Sequence, residues 1–268
     1  IRMAAETSHS RLHFALVGWF PGGDMELRLY QQAAEALAPD LNVILLDGND
    51  PQIRAQSWAA ADIFLSLVDN IQETFGLTPI EAMAAGLPVV ASDWDGYPYT
   101  IRDGVDGFLV PTLGCPGGAI GELMAGLHSL ELETYQTYVG AAAQHTAVHV
   151  QKAASAIAQL ANNKALRKKM GQSGRQRAQM MFSWPEVIRL YKDLLTDLAK
   201  RRKVADPAVA TSGARLQPLR GEPFADFQHF ASEVLRPEHV LRLANGVTPN
   251  DLDAQLAVQL NRLYPGIR

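Results

Sequence analysis

Between residues 12 and 110 the chain alternates short, apolar, β-rich runs with helix-patterned stretches, and this rhythm restricts the fold more than any other feature. Leu12–Val17, Val43–Leu46, Ile63–Val68, Val89–Ala91 and Phe108–Val110 read as strands. Met25–Ala38, Gln52–Ala61 and Pro79–Ala85 read as helices. Leu27, Tyr30, Ala34 and Leu37 share one face of the first, and Gly86 with Pro88 stop the last. Strands this apolar have no face suited to water, so both faces must be covered. A parallel sheet between two helix layers does that. The expected fold class is α/β, a Rossmann-like doubly wound parallel sheet followed by C-terminal helices.

The rhythm also divides the chain. Residues 1–111 are expected to form the core. Residues 112–150 interrupt it with Gly114-Cys115-Pro116-Gly117-Gly118 and read as an insertion. Val150–Asn162, Lys164–Met181 and Trp184–Lys200 read as successive helices that complete the same domain over residues 151–203. Residues 204–218 read as a linker and 219–268 as a small helical tail. The clearest element of the tail is Asp251–Leu263, with Asn250 as a candidate N-cap. Phe224, Phe227 and Phe230, three apart, read as a packing stripe.

Composition excludes several functions. A single cysteine, Cys115, rules out a disulfide framework and any cysteine-rich metal site, and it fits a reducing, cytoplasmic setting. No apolar run approaches the ~20 residues of a membrane span. Residues 1–150 hold five arginines, no lysine and 18 acidic residues, a formal balance of −13, while residues 151–268 balance at +9. A half this acidic is a poor surface for nucleic acid. The basic residues Lys164, Arg167, Lys168, Lys169, Arg175, Arg177 and Lys200-Arg201-Arg202-Lys203 read first as solvated helix faces. Peripheral contact with an anionic membrane is the alternative.

The segment that carries chemistry is Glu73-Thr-Phe-Gly-Leu-Thr-Pro-Ile-Glu81, followed by Ala-Met-Ala-Ala-Gly-Leu-Pro-Val-Val. Gly76 and Pro79 prevent one continuous helix between the two carboxylates. The local order is strand, loop with Glu73, then a helix expected to start at Thr78 with Pro79 at its first position. Backbone N–H groups of Phe75, Gly76, Leu77 and Thr78 would converge before that helix, at the carboxyl edge of the sheet, as an anion site. Thr78 and Glu81 also have capping-box spacing, so Glu81 has a structural reading beside the functional one. Glu73 likewise reads as an ordinary loop acid when taken alone.

The whole string resembles the donor-binding, C-terminal half of the family 4 retaining glycosyltransferases, group 1, which have the B-type fold of two Rossmann domains. That family's Glu-x7-Glu motif is matched by Glu73, Phe75, Gly76, Leu77, Glu81, Ala82, Met83, Ala84, Gly86, Pro88, Val89 and Val90. Ala60-Ala61-Asp62-Ile63-Phe64, Asp103-Gly104, Gly107–Val110 and Phe182-Ser183-Trp184 are also similar to it. The resemblance implies a nucleotide-sugar donor, no cofactor and no metal. It places Glu73 at the sugar near the reacting carbon, as the catalytic candidate. The backbone of Phe75, Gly76, Leu77 and Thr78 would hold sugar and diphosphate, and Glu81 would accept from the ribose hydroxyls. Gly18, by its place after the first strand read here, permits backbone contact with a donor. An ionised carboxylate is acceptor-only, which suits a diol's two donors.

Two features of the family are not found. Residues 1–150 have no Arg-x4-Lys pair to neutralise a diphosphate, and Leu12–Val17 matches the family's second strand, leaving the central first strand missing. Ile1–Arg11 is too polar to be a buried strand. The acceptor-binding N-terminal domain is also missing. A departing diphosphate needs compensating charge, and one helix N-terminus supplies roughly half a unit. The expectation is the donor-binding part of an enzyme that transfers sugar to an acceptor hydroxyl with retention and is inactive without its partner half. The alternative is a non-catalytic nucleotide-sugar-binding or scaffolding module.

Weaker signals read as structural. Asp93-Trp94-Asp95 has the D-x-D pattern of a metal site but follows a strand and precedes Gly96, so it reads as a turn. Gly18-x3-Gly22-Gly23 lacks the dinucleotide fingerprint. His145 and His149 are four apart with no third ligand nearby.

Overall fold

A computed structural model of the chain describes residues 1–204, 221–242, 248 and 250–251. The expected linker at 204–218 beyond Val204, which ends a helix, and the body of the expected helix Asp251–Leu263 lie outside the described residues. The chain forms two compact units. The first comprises residues 1–68, 73–111 and 148–212, and the second residues 69–72, 112–147 and 213–268.

The first unit opens with a short helix α1 (Arg2–Thr7), so the polar N-terminal segment takes no place in a sheet. Strand and helix then alternate: β1 (His13–Gly18), α2 (Gly23–Leu37), β2 (Asn42–Asp47), α3 (Pro51–Ala60), β3 (Phe64–Ser66), α4 (Leu77–Ala85), β4 (Val89–Ser92), α5 (Tyr97–Thr100) and β5 (Gly107–Val110). Every pairing among these strands is parallel. β1 runs beside β2 from His13↔Asn42 to Gly18↔Asp47; β4 lies between β3 and β5, with Val89 opposite both Phe64 and Gly107. This is the α/β, Rossmann-like arrangement that the alternating pattern predicts. The strands form two ladders, β1–β2 and β3–β4–β5, rather than one sheet.

In the second unit come β6 (Thr112–Gly114), α6 (Ala119–Ser129), α7 (Tyr135–Ala143) and β7 (Ala147–Val148). The chain then returns to the first unit with α8 (Val150–Asn162), α9 (Lys164–Met181) and α10 (Trp184–Val204). Asn163 accepts from Leu166 N at 2.9 Å and so caps α9, which separates it from α8. The second unit resumes with α11 (Pro223–Asp226) and β8 (Glu233–Val234), which pairs in parallel with β6. Its core gathers Met124, Tyr138, Val139, Ala141, Ala142 and Phe224. Burial pushes the Tyr138 hydroxyl up to about 12, with the charges of Glu222 and Asp226 adding to the shift. Phe224 and Phe230 are buried, and Phe227 meets Phe230 edge-on at 5.1 Å, a packing role for all three.

Two cores hold the first unit. One joins Ala153, Ala156, Ile157 and Leu160 of α8 to Val90 and Val110. The other joins Ala82 and Met83 of α4 to Val89, Ala91, Tyr97, Ile101 and Ala178. At the α4–α9 crossing Gly171 lies against the Gly86 carbonyl, where any Cβ would collide with backbone. Behind β5, the fully buried Asp106 accepts from Arg102 Nε at 2.8 Å, Arg102 Nη2 at 2.7 Å and Ser173 Oγ at 2.9 Å. Burial by itself would raise this carboxyl's pKa; the bonds from Arg102 and Ser173 outweigh it and hold it below the usual value. Among the described residues no helix is long and apolar enough to cross a membrane.

Candidate functional site: the turn before α4

The local sequence explains the turn at residues 73–78. β3 ends at Ser66, and the chain must reverse before it can enter α4. Gly76 makes this reversal with φ at 63°, in the left-handed region that glycine adopts without penalty. The helix therefore begins at Leu77, and Gly76, not Thr78, is its N-cap, with no side chain bonded to the cap. Both sequence-based readings of this boundary need correction. Thr78 and Pro79 are the second and third helical residues, and the capping box does not form. The reason is physical: Thr78 has helical neighbours on both sides and cannot take the extended conformation an N-cap requires. Pro79 still falls in the first turn, where its missing N–H costs no helical bond.

Three consequences follow for the site. The first-turn N–H groups of α4 are left without a side-chain cap, at the end of the helix where the dipole favours anions. Thr74, Phe75, Leu77 and Thr78 are exposed, so none of the described residues covers the turn. Glu81 stands exposed at the fifth helical position, released from the capping role.

The turn is held from beneath. Gly96 N donates to the Thr74 carbonyl at 3.1 Å. Phe75 meets the edge of Phe182 at 6.1 Å between ring centroids, and Arg177 lies over the same Phe182 ring at 5.8 Å. Arg177 also donates to the carbonyls of Thr100 at 2.8 Å and Tyr99 at 2.7 Å, so it ties α5 to α9. Tyr97, at the head of α5, sits under Gly76. A Cβ added to Gly76 would lie 2.9 Å from the Tyr97 hydroxyl and 3.2 Å from Glu73 Oε1.

The structure thus gathers Glu73, Phe75, Gly76, Leu77 and Thr78 at one turn, with Glu81 farther along the same helix. Gly18 is on the other ladder: it ends β1, and its carbonyl accepts from Gly48 N at 2.9 Å. Sequence reasoning missed Tyr97. Its only local signal was a place just after the Gly96 turn, which reads as connection.

The weaker signals resolve structurally. Asp93-Trp94-Asp95 is a turn, with Asp95 at φ 39° and Trp94 buried. His145 Nδ1 lies 2.8 Å from the Ala141 carbonyl, while His149 accepts from Lys152 N at the start of α8. No cluster of metal-ligating residues occurs among the described residues. A groove of about 280 Å3 between α2 and β2, lined by residues such as Gln31, Glu35 and Asn42, touches none of the predicted site residues.

Residues 1–113 match the family described as glycosyl transferases group 1. A D-inositol 3-phosphate glycosyltransferase of Corynebacterium aurimucosum is 35% identical over 100 residues, covering 37% of this chain and 23% of that protein. A phosphatidyl-myo-inositol mannosyltransferase of Mycobacterium leprae is 48% identical over 59 residues, 22% of this chain and 15% of that one. The chain spans less than a third of the length of these curated relatives. Among solved structures, a sucrose-phosphate synthase from Thermosynechococcus elongatus aligns with TM-score 0.46 at 24% identity, covering 74% of this chain and 41% of that one. HepE from Anabaena in complex with UDP-glucose aligns with TM-score 0.45 at 20% identity, covering 74% and 44%. Through residues 1–113, this chain is similar to the group 1 glycosyl transferases.

Proposed function

We propose that this chain is the donor-binding part of a glycosyltransferase that moves a sugar from a nucleotide-sugar to an acceptor hydroxyl with retained anomeric configuration. The supporting observation is the uncovered turn before α4, with uncapped helix N–H groups and Glu73 at its entrance. The diphosphate lies against the N–H groups around Gly76, Leu77 and Thr78, where partial positive charge meets it. Glu73 accepts from hydroxyls of the sugar and stabilises positive charge developing at the anomeric carbon. Glu81 accepts from the ribose diol. No metal and no resident cofactor enters this scheme.

The scheme needs more charge than the described residues offer at this turn. Arg102 is bound to Asp106, and Arg177 spends its donors on the carbonyls of Tyr99 and Thr100. We therefore place the diphosphate's basic partners, the missing neighbour strand and the acceptor site on a further N-terminal half. Alone, the 268-residue chain binds donor weakly and does not turn over. Saturation-transfer and thermal-shift screening against UDP-, GDP- and ADP-sugars tests the binding; silence toward all three would remove the reading. Joined to its acceptor half, the enzyme with Glu73→Gln should lose about a hundredfold in turnover and little donor affinity. Equal loss of both would favour a non-catalytic binding module.

Peripheral membrane contact belongs to the same proposal. Ile188, Tyr191, Leu195 and Leu198 of α10 are exposed at spacings of three and four, and the helix ends in Lys200-Arg201-Arg202-Lys203. An apolar stripe beside basic residues suits an anionic surface. Cosedimentation with phosphatidylserine vesicles, and none with phosphatidylcholine vesicles, is the expected result.

A further inference from the structure

Tyr97 is 1% exposed, and its hydroxyl has no hydrogen-bond partner among the described residues. Ser66 lies close enough to oppose the phenol's pKa rise but not in hydrogen-bonding geometry. A buried hydroxyl left unpaired is a standing cost that folded proteins seldom carry without a reason. Its direction supplies one. The hydroxyl and Glu73 Oε1 flank a single point on Gly76, 2.9 Å and 3.2 Å from where a Cβ would be. Burial, with Glu73's charge adding, keeps the phenol protonated, so it remains a donor.

The two sides of this gap differ in freedom. Tyr97 begins a helix clamped from behind by Arg177, and Gly96 just before it is bonded to Thr74. The turn above has exposed side chains at Thr74, Phe75, Leu77 and Thr78. An anion settling on the N–H groups of that turn would press it toward the fixed ring.

We propose that Tyr97 is a positioning residue for the donor: when a sugar nucleotide occupies the turn before α4, the Tyr97 hydroxyl donates to the Glu73 carboxylate and fixes it against the sugar. A carboxylate has enough acceptor sites to hold the phenol and a sugar hydroxyl together. The inference rests on the donor-binding reading above. It goes beyond it by giving the orphaned hydroxyl a partner that forms only with ligand.

The test is Tyr97→Phe in the full chain, which removes the hydroxyl and keeps the ring. The probes are UDP-glucose, GDP-mannose and UDP alone. Loss of an unpaired hydroxyl should leave the ligand-free melting temperature unchanged or higher. Affinity for whichever sugar nucleotide the wild type binds should fall about tenfold, the scale of one hydrogen bond to a charged group. Affinity for UDP alone should not change. In a Glu73→Ala background, which leaves no acceptor for the hydroxyl, the further loss should disappear, because the two side chains act as one pair. Wild-type affinity in Tyr97→Phe would overturn the inference and leave the donor reading standing. So would equal losses for UDP and sugar nucleotide, or a markedly lower ligand-free melting temperature. If the wild type itself responds to none of the probes, the donor reading fails and the inference falls with it.

Discussion

β1 and β2 pair over six residues, yet alternate residues along both strands stay exposed; β4 is four residues long and every one of them is buried. The helices differ in the same way. α2 is 15 residues long with none buried, and Met25 and Leu37 are each 70% exposed, while α4 in nine residues buries Pro79, Ala82 and Met83. Both regions are parallel β/α structure. Pairing length therefore does not decide how firmly a ladder is held. Cover does: β3–β4–β5 has α4 with α9 on one core and α8 on the other, and among the described residues β1–β2 has no such second layer. The candidate turn grows from the covered ladder. A site that must hold a carboxylate and a row of N–H groups in register belongs on rigid support.

That contrast can be broken by substitution. Met83→Ala leaves a void among fully buried neighbours and should cost about 3 kcal/mol by chemical denaturation. A cost no larger than that of Leu16→Ala in β1 would erase the distinction between the ladders. Asp106→Asn comes next, at about 2 kcal/mol near neutral pH, because Arg102 is half exposed and the full value of a buried pair is screened. Its pH signature has a definite sign. The folded carboxyl has the lower pKa, so its stabilisation is complete above the unfolded value of about 4 and is lost as pH falls through the folded one. Acid titration of stability should flatten in Asp106→Asn; an unchanged acid limb would mean another group governs it. Leu16→Ala, at a half-buried position, should cost about 1 kcal/mol or less. Smallest in free energy, native-state hydrogen exchange should find the amides of Ala15 and Val17 opening roughly threefold faster than those of Val90 and Ala91.

How much of this could be read in advance depended on the range of the interaction. The limits of α8 and α9 were legible because Asn163 breaks the periodicity locally and caps the next helix. The α4 boundary was misplaced because threonine and proline are strong local signals for a helix start. Gly76 outranked them through a backbone conformation that the sequence only permits. The segment 112–150 was uncertain in helicity; α6 and α7 form there around a core that draws Phe224 from more than eighty residues away.

The sequence by itself determined the order of strands and helices, the parallel class of the sheet and the string Glu73–Glu81, because each rests on periodicity, chain polarity or residue chemistry within a few positions. Tertiary structure alone decided that the strands divide into an exposed pair and a buried trio, that Asp106 is held by Arg102 and a serine 67 residues away, and that Tyr97 lies beneath Gly76. Those outcomes depend on which surfaces meet, and chain separation hides such meetings from any local pattern.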